Sequence, residues 1–219
     1  GNAILIYDNQ NGKSSPAIEG TYGCEMKGNV TLDIRSGRAN EICGTQEYST
    51  KSIIRGDLHI IAGAKKYENT DRTLRLNGNW PIVGAGNSFA ESPFEKGTYE
   101  VGGNITIDTF ENVWGWDKGT EPPSDDIPEI YGAIDSNVGG NITLNINGSH
   151  MGNITGAWDS NVKGDVTVNA INVDLRNSYY ETEYDEGDIL VGYYAIIEGK
   201  SIINVDGGDI NIVRLTNKK

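Results

Sequence analysis

The phrase Gly132-Ala-Ile-Asp-Ser-Asn-Val-Gly-Gly-Asn-Ile-Thr-Leu-Asn-Ile146 returns as Gly156-Ala-Trp-Asp-Ser-Asn-Val-Lys-Gly-Asp-Val-Thr-Val-Asn-Ala170, an interval of 24 residues. A repeat of this length, alternating apolar with small polar residues, predicts a chain that coils on itself with equivalent positions stacked. Generalised to apolar, any, Gly, Asn or Asp, apolar, Thr, apolar, polar, apolar, it can be laid on the chain seven times. Its glycine then falls at Gly28, Gly56, Gly78, Gly103, Gly140, Gly164 and Gly199. The period of two is that of a half-buried strand, with Val30, Leu32 and Ile34 facing one way and Asn29, Thr31 and Asp33 the other. The copies at Leu76 to Gly84 and Ile197 to Val205 carry Pro81 and Ser201 where the pattern breaks, and are kept on register.

Successive glycines lie 28, 22, 25, 37, 24 and 35 residues apart, which defines a coil of 22–28 residues with two long exceptions. The exceptions read as loop insertions over about 110–128 and 176–188. No long apolar face of period 3.6 appears, while Gly, Asn, Thr and Ile supply bends and strands. A coil this long holds three short strands and three turns. The fold expected is therefore all-β: a single-stranded, right-handed parallel β-helix (β-solenoid) of about seven or eight coils, one domain over residues 1–219. With about 4.8 Å of rise per coil the rod is roughly 35 Å long. Each template glycine is expected to turn a corner at positive φ, with the following Asn or Asp bonding its own backbone, and asparagines at equivalent positions are expected to form ladders.

A formal net charge of −13, spread over acidic loops, disfavours nucleic acid and anionic membranes as partners and leaves neutral polymers and cations. Hydrophobic residues at 37% suit a thin solenoid, whose core is one coil wide. No apolar stretch approaches the roughly 18–20 residues of a membrane span, and the start of the sequence lacks the plan of a signal peptide. Cys24 and Cys43 stand 19 apart, a little under one coil, so they are read either as a disulfide across adjacent rungs or as two unpaired thiols. With His59 and His150 they make no zinc pattern. The Asn-x-Thr/Ser triplets are largely by-products of the template.

The Gly-Asn-Ile-Thr-Leu-Asn-Ile strands, joined through Tyr131-Gly-Ala and Gly192-Tyr-Tyr-Ala corners, resemble the β-solenoid repeats of large bacterial cell-surface and adhesin-like proteins. The resemblance covers most of residues 18–215. It implies a secreted or surface-displayed chain and carries no site motif, since such repeats serve as stalks, polysaccharide binders and scaffolds for polysaccharide-degrading enzymes.

Both insertions leave the same edge of the rod, with one uninserted coil between them. This predicts a shallow groove with His150 near its floor and the loops as walls. One wall carries Trp114 and Trp116 with Asp125 and Asp126; the other carries Tyr179, Tyr180 and Tyr184. Aromatic rings beside carboxylates and amides suit a sugar, the ring covering its C–H face while acids and amides bond its hydroxyls. In the competing reading, Trp114 and Trp116 tuck the loop onto the rod and the acids form a solvated face. Asp185, Glu186 and Asp188 are candidates for Ca²⁺, although they follow no regular calcium-loop pattern; no other cofactor is expected. Asp135 and Asp159 fall one repeat apart and are the candidates for a glycosidase acid pair, but each sits in a turn-like Asp-Ser-Asn-Val string that the repeat itself explains. Few basic residues flank the groove and no Gly-x-Ser-x-Gly turn occurs, which argues against a lyase and a serine hydrolase. The leading expectation is a non-catalytic, extracellular bacterial surface protein that binds polysaccharide or host glycan through loops on one face. The alternatives are a stalk segment joined to neighbouring domains of a longer surface protein, and a glycoside hydrolase on a β-helix scaffold.

Overall fold

The computed structural model describes residues 1–10, 16–46, 51–77, 82–86, 99–115, 127–177 and 185–215. The chain is a parallel β-helix. Its first face stacks Ala3–Asp8, Val30–Ala39, Leu58–Ala62, Ile105–Thr109, Ile142–Asn147, Val166–Asn177 and Ser201–Asp209, each parallel to the next. The second face stacks Ala17–Tyr22, Glu41–Gln46, Ile82–Ala85, Ile130–Ile134, Ile154–Trp158, Ile189–Tyr193 and Val213–Arg214. The third face is shorter, running from Glu25–Met26 through Ser136–Val138 to Ile196–Ile197. Between the first and second faces lies a bend strip in which Leu74–Leu76, Val113–Trp114 and His150–Met151 stack on the ends of first-face strands. The 3-10 turn Lys65–Tyr67 is the one helical element among the described residues.

Period-two alternation places the same residue type at the same height of every coil. Ile18, Ile42, Ile82, Ile130, Ile154 and Ile189 form one column of the core, and Leu32, Ile60, Ile107, Leu144 and Val168 another. Each of these side chains is buried, and burying one stabilises the fold by roughly 1.5–3 kcal/mol relative to leaving it exposed. Outside, Thr31, His59, Thr106, Thr143 and Thr167 share a column, as the template requires.

The template corner differs from expectation in its physics. Gly28, Gly56, Gly103, Gly140, Gly164 and Gly199 are absent from the positive-φ residues. Close approach is what demands glycine here: a Cβ on Gly140 would meet Asn104 Oδ1 at 2.5 Å and the Gly103 carbonyl carbon at 2.8 Å. The Asn or Asp that follows does not bond its own backbone either. Its side chain accepts from the equivalent N–H of the next coil: Asp57 N–H to Asn29 Oδ1 at 3.0 Å, Asn104 N–H to Asp57 Oδ1 at 2.7 Å, Asn141 N–H to Asn104 Oδ1 at 2.9 Å and Asp165 N–H to Asn141 Oδ1 at 2.8 Å. This ladder replaces the strand bonds that the corner interrupts. It begins one copy earlier than the template was laid, because Asn2 Oδ1 accepts from Asn29 N–H at 3.0 Å.

One coil is also longer than expected. Leu58–Ala62 pairs directly with Ile105–Thr109, so Gly56 and Gly103 are successive corners 47 residues apart and Gly78 starts no coil of its own. Gly78 and Pro81 lie outside the described residues. Their neighbours belong to different parts of that single coil, Leu74–Leu76 to the bend strip and Ile82–Ala85 to the second face. Arg72 and Tyr67 anchor its excursion to the first coil through Asp8, at 2.6 and 2.9 Å. Burial alone would raise the Asp8 carboxyl, but hydrogen bonds from Ser36 and Tyr67 with the charges of Arg72 and Lys66 hold it below the usual range.

Cys24 and Cys43 are both free thiols, one exposed and one buried. Cys43 stacks beneath Glu19, a full coil of 24 away, and its thiol donates to Thr45 O at 2.9 Å. Burial pushes that thiol well up from its ordinary value.

Candidate functional site

The first-face strands of the coils of Gly103, Gly140 and Gly164 enclose a groove; most of the two loops expected to wall a groove lies outside the described residues. The groove has a volume of about 410 Å³ and is lined by Asp108, Phe110, Asn145, Asn147, Asn169 and Ile171 among others. Its polar wall is an amide ladder along the rod axis. Asn145 Nδ2 donates to Asp108 Oδ1, Asn169 Nδ2 to Asn145 Oδ1 and Asn204 Nδ2 to Asn169 Oδ1, each at 2.7 Å. At the other end His59 Nε2 lies 2.6 Å from Asp108 Oδ2. Burial acts to raise the Asp108 carboxyl, yet the bonds to His59 and Asn145 outweigh it and hold the group below the usual carboxylate range. An amide has two N–H donors and an oxygen with two lone pairs, so Asn145 and Asn169 each retain a donor and an acceptor after the ladder is made. Ile171, at 42% exposure, and Phe110 supply apolar surface beside them.

His150 lies a few residues further along the same coil, in the bend strip, stacked between Trp114 and Asp174. Its ring meets the Trp114 ring edge-on, centroids 6.2 Å apart, and its Nδ1 is 3.3 Å from Asp174 Oδ2. Asp174 in turn holds Arg176 at 2.9 Å. The Trp114 indole N–H donates to Glu111 O at 2.9 Å. Trp114 is thus fastened to the loop base and to His150. Trp116, Asp125, Asp126, Tyr179, Tyr180 and Tyr184 lie outside the described residues.

Both insertions rejoin the rod at stacked positions. Asn153 joins them, donating from Nδ2 to Glu129 Oε1 at 2.6 Å and accepting the Asp188 N–H at 2.9 Å. Glu129 also accepts from the Tyr131 hydroxyl. Burial drives the Glu129 carboxyl above its ordinary value despite the Tyr131 and Asn153 bonds, and burial with the neighbouring Glu129 charge raises the Tyr131 phenol. Asp188 contributes its backbone N–H to this contact, which leaves its carboxylate unengaged. The backbones of Asp185 and Glu186 pair antiparallel with Asn177 and Arg176, and the two side chains lie outside the described residues. Among the described residues no three His, Cys, Asp or Glu side chains group as a metal site would require.

Asp135 and Asp159 sit on successive coils at φ 48° and 44°, with Tyr194 at 53° next in the same stack. They turn the corner between the second and third faces, and their N–H groups donate to Trp158 O and Tyr193 O of the following coil. The sequence reading missed an aromatic row on this side, half-buried at Tyr131 and Tyr193 and exposed at Trp158. Tyr131, Trp158 and Tyr193 occupy successive coils, with centroids 5.9 and 4.7 Å apart and rings inclined at 61° and 50°. Rings so inclined pack on one another and do not form one flat platform. Their legible signal was an aromatic beside the glycine of each of these second-face strands, at Tyr131-Gly-Ala, Gly156-Ala-Trp and Gly192-Tyr.

No protein-family model, curated protein or solved structure matches this chain.

Proposed function

We propose that this chain is a non-catalytic, extracellular β-solenoid of a bacterial surface that binds an uncharged polysaccharide or host glycan. The observation that supports it most is the groove across three coils, where amides with unused hydrogen-bonding capacity stand beside Phe110 and Ile171. Sugars need that combination, an apolar surface for C–H groups and oriented amides for hydroxyls. Asp108, kept ionised by its neighbours, and the net charge of −13 select against polyuronates and favour neutral chains.

A glycan array tests it. The wild-type chain should retain a restricted set of neutral oligosaccharides, and Asn145→Ala should weaken that binding about tenfold, the loss of roughly one to two hydrogen bonds. Binding untouched by Asn145→Ala combined with Phe110→Ala would place the ligand elsewhere. Release of reducing ends that disappears in Asp159→Gly, at unchanged fold, would replace this reading with the hydrolase, because glycine is at home at φ 44° and removes only the carboxylate.

A further inference from the structure

We infer that the glycan held in the first-face groove is an unbranched, extended β-linked chain that lies along the rod axis, one sugar on each of three coils. This placement deepens the glycan-binding function proposed for the groove and rests on it.

The groove is built from two outward columns of side chains. Asp108, Asn145 and Asn169 stand in register on successive coils, and beside them Asn147 faces Ile171 in the column that Phe110 begins. Residues two apart on a strand are about 6.6 Å apart, and coils rise by about 4.8 Å. Between the columns there is therefore room for one pyranose ring, whereas along the axis the same pair of columns recurs from coil to coil. A chain of sugars fits only in the axial direction. Extended β-linked pyranose chains, with equatorial bonds at both ends of each ring, advance per sugar by slightly more than one coil rise, so three sugars keep step with three coils. Chains of the starch type coil away from such a straight track.

The amide ladder supplies one hydrogen-bonding unit per coil and holds it in a fixed orientation. Every bond in it runs the same way: Asn204 donates to Asn169, Asn169 to Asn145 and Asn145 to Asp108. A carboxylate only accepts, so Asp108 draws the Asn145 Nδ2 toward itself and leaves Oδ1 for Asn169, and the constraint passes along the column. His59 holds the other Asp108 oxygen at 2.6 Å. The amides are thus oriented before a ligand arrives, which lowers the ordering cost of binding. A hydroxyl both donates and accepts, so one hydroxyl per sugar serves one amide per coil. Among the outward side chains of the three strands Asp108 alone is charged, and both its oxygens are engaged, which suits a neutral chain.

The track also has two ends. On the coil before it Ile61 takes the place of Asp108. On the coil after it Asn204 continues the first column, but the exposed carboxylate of Asp206 follows Ile171 in the second. Three sugars are therefore the length the groove measures.

Calorimetric titration of the whole chain with cello-, manno- and chito-oligosaccharides of increasing length, against the malto series, is the test. Circular dichroism establishes that each variant is folded. At least one β-linked series should gain about tenfold in affinity with each sugar up to the trisaccharide, as one to two hydrogen bonds per coil require, and nothing beyond it. The malto series should bind at least about tenfold more weakly. Asn169→Ala and Ile171→Ser, the second at an exposed position, should each bring the plateau back to the disaccharide. Affinity independent of length, equal affinity for the malto series, or a plateau unmoved by both variants would overturn the axial placement while leaving a glycan site in the groove. Binding of branched or α-linked glycans alone would do the same. Absence of binding by every glycan would overturn both the placement and the proposed function.

Discussion

Glu129 shows how a single side chain of the repeat is set by its surroundings. The chain returns from the first insertion at this residue, under the Tyr131 hydroxyl and the Asn153 amide. Burial raises its carboxyl, so the folded protein keeps the proton to a higher pH than the unfolded chain, whose glutamates titrate near about 4.3. Between those two values the native state binds more protons, and stability falls as pH rises through that window and is level above it. Glu129→Gln removes the ionisation and keeps a donor and an acceptor for the same two partners. The variant should be more stable than wild type at pH 7, with the difference vanishing near pH 4, as read from urea midpoints at the two values. An equal loss at both pH values would show that the contacts, and not the buried charge, dominate. Asp135 and Asp159 illustrate the opposite case, acids whose backbone conformation explains them: a left-handed φ admits Asp, Asn or Gly far more readily than other residues.

At the scale of the strand and its corners, glycines separate two demands. Gly20, Gly44, Gly84, Gly132 and Gly156 stack on the second face, where a Cβ on each would press into the backbone carbonyl of the coil beyond it. Gly132→Ala would also drive into Ile142 Cγ2; with backbone on one side and core on the other it should cost about 3 kcal/mol, whereas Thr143→Ala on the outer surface should cost no more than about 0.5 kcal/mol. Melting curves of the two variants check this, and similar values for both would mean that the coils separate readily to admit a methyl group. The first-face strands were legible because alternation records burial directly, and the asparagine ladders because the same polar residue recurs at one height. The source of the corner glycines was not legible: close approach to the neighbouring coil and positive φ select the same residue. Gly78 misled because Leu76-Asn-Gly-Asn matches the opening of the template while Leu76 belongs to the bend strip. Of the site, the loops that the interval lengths singled out lie mostly outside the described residues. The amide wall at Asn145 and Asn169 was read as a ladder and not as a binding surface, and His150, expected on the floor of a loop-walled groove, stacks between Trp114 and Asp174.

Over the whole molecule, a stack in which each coil touches mainly its two neighbours has stability that is nearly a sum of coil and interface contributions. Inner coils have two interfaces and end coils have one. The burial of the strands follows that difference: Ile142–Asn147 alternates buried and half-buried residues, while Ala3–Asp8 and the far half of Ser201–Asp209 are largely exposed. Amide exchange should therefore be graded, with Ile105–Thr109 and Ile142–Asn147 opening only at close to the global unfolding free energy and the two end strands opening well below it. Uniform protection from end to end at low concentration would instead show that the rod unfolds as one cooperative unit, with the end coils as firmly held as the middle.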